Sequence, residues 1–190
     1  MTRTLQLAQD PDADKLLSDD PFALLTGMLL DQQIGMEVAF AGPKKIAERM
    51  GGFSVTRIAE CDLDEFVELC VHKPAIHRYG GSMGKRVHAL AEYVVEHYDG
   101  HTERIWTEGD PDGTEVLKRL KALPGYGDQK AKIFLALLGK QLGVRPADWR
   151  EAAGAYGDED ARRSIADVVD DTTLQEVRSF KKAAKAAAKK

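Results

Sequence analysis

Leu123-Pro124-Gly125-Tyr126-Gly127-Asp128 lies between two helical patterns. Upstream, Val116, Leu117, Leu120 and Leu123 recur at helical spacing. Downstream, Ala131, Phe134, Leu135, Leu138 and Leu142 do the same. A proline-led turn with two glycines lets the backbone approach another group closely. Asp128 reads as the N-cap of the second helix. Such a turn presents the free N–H groups of a helix N-terminus, and a phosphate is their natural ligand. Gly125, Tyr126 and Gly127 are expected to offer those amides, with Lys130 or Lys132 adding charge.

Outward from this hairpin, at residues 114–142, the chain reads as helical throughout. Asp20 and Pro21 start a helix carrying Phe22, Leu24, Leu25, Met28, Leu29 and Leu30. It is apolar nearly all round, which predicts a buried central helix. A second helix is expected over residues 37–50, stopped by Gly51 and Gly52. Asp62 and Glu65 have capping-box spacing. After a loop at residues 72–84, Ser82 is the expected cap of a helix with Val87, Leu90, Ala91, Val94 and Tyr98 on one stripe. Residues 143–157 read as a connection with one helical turn after Trp149, and a last helix starts near Thr173. No run of strands and no repeat is evident. The expectation is an all-α fold of two packed lobes over residues 1–180, with a flexible Lys/Ala-rich tail at 181–190.

Composition narrows the class. The chain has 190 residues, 43% hydrophobic and 31% charged, as a globular protein does. No apolar run reaches the ~18 residues of a membrane span, and the N-terminus lacks the apolar core of a signal peptide. A cytoplasmic, nucleoid-associated location follows as an expectation. Cys61 and Cys70 are too few for an iron–sulfur or structural zinc site, so reduced thiols are expected. His72, His77 and His88 lack metal-like spacing, and no metal site is expected. The net charge is −4, but five lysines crowd residues 181–190. Without them the balance is 22 basic against 31 acidic residues, or −9. A cationic arm on an acidic body suits non-specific phosphate attraction.

Two further segments carry a resemblance. Leu29-Leu30-Asp31-Gln32-Gln33-Ile34 resembles the hydrophobic-pair, Gln-Gln-Ile junction of the 3-methyladenine and 8-oxoguanine glycosylases. Residues 79–98 are similar to the long helix that precedes the hairpin in the same group. With residues 123–135, their order matches the helix-hairpin-helix superfamily of base-excision DNA repair glycosylases, nearest its 3-methyladenine branch. The resemblance implies double-stranded DNA containing a damaged base as partner, and a base flipped into a cleft between lobes. It implies cleavage of the base–sugar bond, with a carboxylate stabilising the oxocarbenium-like transition state. It also implies a monovalent cation on the hairpin carbonyls, and a monomer. The cysteine loop of the iron–sulfur branch is absent.

On this resemblance Asp148, within Pro146-Ala147-Asp148-Trp149, is the expected catalytic carboxylate, its alternative being a helix cap. Members that also cleave the strand carry a lysine two residues after the second hairpin glycine, and here that residue is Gln129. Lys130 is one step along, ~100° away round the helix, and is expected to contact phosphate or solvent. A monofunctional glycosylase acting on an alkylated or deaminated base is therefore expected. Gln33 is a candidate DNA contact, Gln32 and Trp149 candidates for the base pocket, and Asp31 a local cap. The alternative is a DNA-binding or lesion-sensing protein that has lost catalysis.

Overall fold

The computed structural model describes residues 4–189. Among them there are helices and no strand. The first lobe is built on α2 (Pro21–Leu30), whose N-cap Asp20 accepts from the Phe22 and Ala23 amides, with Pro21 in the first helical position. Every residue from Phe22 to Leu30 is buried, as an all-round apolar helix requires. Helices α1 (Pro11–Asp19) and α3 (Met36–Met50) pack against it. The α2–α3 crossing is close because two glycines sit in it. A Cβ on Gly27 would stand 2.4 Å from Phe40, and one on Gly42 2.5 Å from Leu30.

Helix α4 (Val55–Glu60) and α5 (Leu63–Val71) pack on the long α6 (Gly80–Tyr98). Val87, Leu90, Ala91 and Val94 form the buried stripe of α6. It begins two residues before Ser82, so Ser82 lies inside the helix and does not cap it. Asp62 caps α5 through the Asp64 and Glu65 amides.

The second lobe consists of α7 (Arg104–Thr107), α8 (Gly113–Lys121), α9 (Asp128–Gln141), α10 (Trp149–Ala153) and α11 (Asp171–Ala188), with short 3₁₀ turns at Gly154–Gly157 and Ile165–Asp167. Its core helix is α9, buried continuously from Ile133 to Gly139. Lys140 and Asp167, 2.6 Å apart and both largely buried, tie the second 3₁₀ turn to α9. The last helix runs unbroken through residues 181–188, so the expected boundary at residue 180 has no counterpart in the helix. No helix among the described residues is long and apolar enough to cross a membrane.

Candidate nucleic-acid interface and cleft

The hairpin turn has the residues a type II turn demands. The Tyr126 amide donates to the Leu123 carbonyl at 3.1 Å, with Pro124 and Gly125 between them. Gly125 has φ +82°, and a Cβ there would stand 2.4 Å from Leu29. Glycine is needed both for the dihedral and for the close approach to α2. The Tyr126 ring is buried, and its hydroxyl donates to the Leu25 carbonyl at 2.6 Å. Burial pushes that phenol well above the usual tyrosine range. One expectation is corrected here: the Tyr126 amide is used inside the turn; its side chain packs in the core.

A third tie joins hairpin and α2. Lys130 is half-buried, and its Nζ donates to the carbonyls of Met28 and Leu29 at 3.0 and 2.7 Å. These belong to the last turn of α2, whose dipole favours a cation. Burial lowers the Lys130 amine to about 8, against a smaller upward pull from Asp31. Lys130 therefore caps the C-terminus of α2.

The N-cap of α9 is Gly127 and no side chain caps it. Asp128 is instead the first residue of the helix, paired with Lys132 at 2.9 Å and Lys121 at 3.3 Å. These two lysines hold its carboxyl below the usual range. The amides of Gly125 and Gly127 and of the first turn of α9 thus have no backbone partner among the described residues, whereas Lys132 stands beside them.

Beside the hairpin lies a cleft of about 650 Å3 between the end of α2, the start of α9 and one face of α11. Asp31 is part of its lining. It follows α2 in a tight turn (φ −74°, ψ 68°) closed by the Gln32 amide on the Leu30 carbonyl at 2.7 Å. As expected of a local cap, Asp31 is the C-cap residue of α2, its amide donating to the Met28 carbonyl at 3.3 Å, while its side chain lines the cleft. Burial pushes its carboxyl above the ordinary carboxylate range, and Lys181 and Lys130 pull it back down. Gln129 reaches the same cleft and donates to the Tyr156 hydroxyl at 3.0 Å. Gln32 lies at the rim, its amide nitrogen 3.3 Å from the Leu29 carbonyl. Gln33 is exposed, with φ +61°, and lines a separate hollow beside Tyr79 and Arg86.

Asp148 is elsewhere. One carboxylate oxygen accepts from the Gly113 amide at 2.9 Å and the other from the Thr114 hydroxyl at 3.0 Å. Both belong to the start of α8, while the hairpin follows its end. Nine residues of helix separate the two, ~13 Å of rise. The expected catalytic residue is therefore a second cap for α8, beside Asp112. Trp149 is also corrected: it is buried against Gly139, where a Cβ would stand 2.5 Å from the ring, and it lines no part of the cleft. His77 and His88 are buried, each with Nε2 on a carbonyl, of Gln32 and Cys61 respectively. Cys61 and Cys70 are free thiols. No group of three or more metal-ligating side chains occurs among the described residues.

A family model for HhH-GPD superfamily base excision DNA repair proteins matches residues 26–190. The chain belongs to this family. No curated protein and no solved structure matches it. Membership of the HhH-GPD superfamily places the chain in base-excision repair and implies DNA binding, and it covers both the hairpin and the cleft. Sequence reasoning had found the hairpin but missed Asp31, Tyr156, Arg163, Phe180 and Lys181 as one lining. Only Asp31 carried a signal, by adjoining Gln32 and Gln33.

Proposed function

We propose that this HhH-GPD protein is a monofunctional DNA glycosylase that hydrolyses the bond between a flipped-out damaged base and its sugar in double-stranded DNA. The observation that carries this reading is the position of Asp31, a largely buried carboxylate lining a cleft that adjoins an uncapped hairpin helix. The amides of Gly125 and Gly127 and the charge of Lys132 grip a phosphate without reading sequence. The cleft volume suits a flipped base. Asp31 stabilises the positive charge that develops on the sugar and accepts a proton from the attacking water. Gln129 occupies the hairpin position where an amine would attack the sugar, and the Lys130 amine is turned to α2, so no strand cleavage accompanies base loss.

The test is incubation with duplexes each carrying one damaged base, scored for strand breaks with and without alkali. Breaks only after alkali, abolished by Asp31→Asn, are the expected result. Breaks without alkali overturn the monofunctional reading. A second reading, a lesion-binding protein without catalysis, is favoured by the commitment of Asp148 to α8. It predicts tight duplex binding with no base release from any lesion.

A further inference from the structure

The cleft is lined by one carboxylate and four cations. Asp31 shares it with Lys130, Arg163, Lys181 and Lys185, a net charge of +3 when all are ionised. Glu37, the other acid whose charge bears on Asp31, is itself paired with Arg178. The cations reach the cleft from α9, from the segment before the second 3₁₀ turn and from α11, so the positive field converges on it from three sides. The aromatic surface is also prepared. The Arg163 guanidinium lies 5.0 Å from the centre of the Phe180 ring. Phe180 keeps 38% of its surface exposed and lines the cleft.

We infer that the cleft selects a damaged base that is electrically neutral and rich in carbonyl acceptors, of the deaminated or oxidised class, and rejects a base with a fixed positive charge, such as an N7-alkylated purine. This rests on the cleft being the base pocket of the proposed glycosylase. Two arguments support it. A base with added carbonyl oxygens matches a lining of N–H donors, and a ring stacks on Phe180 whatever its identity. A cationic base enters against a net positive field.

The chemistry runs the same way. When the C1′–N bond breaks, its electron pair stays on the base. A neutral base leaves as an anion, and Lys181 and Arg163 stabilise that charge as it forms. Water adds its hydroxyl to C1′, and its proton passes through Asp31 to the departing base. A cationic base leaves neutral and gains nothing from these groups.

The test measures equilibrium binding of labelled duplexes by fluorescence anisotropy, alongside base release. The duplexes share one sequence and carry uracil, hypoxanthine, 8-oxoguanine, 7-methylguanine or undamaged guanine. At least one neutral lesion is expected to bind about tenfold more tightly than 7-methylguanine, and Lys181→Glu to narrow that ratio. A 7-methylguanine duplex bound or processed as well as every neutral lesion overturns the inference and leaves the glycosylase reading standing. No base release with the binding preference intact overturns glycosylase activity and upholds the selectivity. No preference for any lesion over guanine overturns the inference.

Discussion

The Lys130 Nζ lies 2.7 Å from the Leu29 carbonyl oxygen, and this bond fastens the hairpin of the second lobe to the end of the central helix of the first. Gly125 against Leu29 and Tyr126 on Leu25 make the same connection beside it. All three ties converge on the last two turns of α2. The cleft opens where α2 ends, so the ties that join the lobes also position Asp31.

Lys130→Met removes a donor from two carbonyls of α2. The Asp31 amide and the Gln32 side chain still reach these carbonyls at 3.3 Å, so the expected loss is about 1 kcal/mol, the net worth of a hydrogen bond, read from the denaturant midpoint. The pH dependence has a defined sign. The folded amine titrates near 8 and the unfolded one near the ordinary 10.5. Between those values the unfolded chain binds more protons, so stability rises with pH. Wild type is therefore expected to gain on Lys130→Met as pH rises from 8 towards 10. A constant difference over that window contradicts the burial of this amine.

Asp148→Ala takes a cap from α8, with an expected cost of about 1 kcal/mol. Base release at a temperature where the variant is folded should match wild type. Asp31→Asn should show the reverse pattern, full stability with base release abolished. Measured together by thermal unfolding and single-turnover kinetics, the two variants separate capping from catalysis. Equal loss of activity in both would return Asp148 to the reaction. Because burial raises the titration point of Asp31, wild-type base release should fall as pH drops through it, the carboxylate being the active form.

The hairpin and the central helix were legible because both are local patterns. The run from Phe22 to Leu30 is apolar on every side, and the turn at Gly125 follows from the residue types within the turn itself. Asp148 was not legible, because its partner Gly113 lies 35 positions upstream and only the return of the chain after α9 brings them together. Lys130 shows the same limit. Helical phase separates it from Gln129, yet its carbonyl partner lies 101 positions away. The cleft lining was hidden for a further reason. Residues 181–190 read as a flexible Lys/Ala-rich tail, but α11 carries Lys181 and Lys185 into the cleft that Asp31 lines.

Gly125→Ala tests the turn. Its φ of +82° is costly for any residue with a Cβ, and the added atom would overlap Leu29. The expected destabilisation exceeds about 1 kcal/mol. Duplex affinity should fall by more than stability alone explains, because the amide of Gly127 and the N-terminus of α9 move with the turn. Gly143→Ala is the control: it also has positive φ but nothing within reach of its Cβ. It should lose stability and keep affinity, as read by anisotropy under native conditions.

Deleting residues 181–190 tests the cationic arm. The deletion removes five lysines and no acid, leaving a body of net charge −9. If those lysines meet phosphates, the slope of log affinity against log salt becomes shallower by about 0.9 for each phosphate no longer neutralised. The expected change is at least one such step. The deletion also strips Lys181 and Lys185 from the cleft, so discrimination against 7-methylguanine should weaken in the same protein. The two effects are separable. A shallower slope with discrimination retained assigns the arm to the phosphate backbone alone, and the converse assigns it to the base. An unchanged slope would show that the hairpin and Lys132 provide the grip on DNA without help from the arm, despite the acidic body around them.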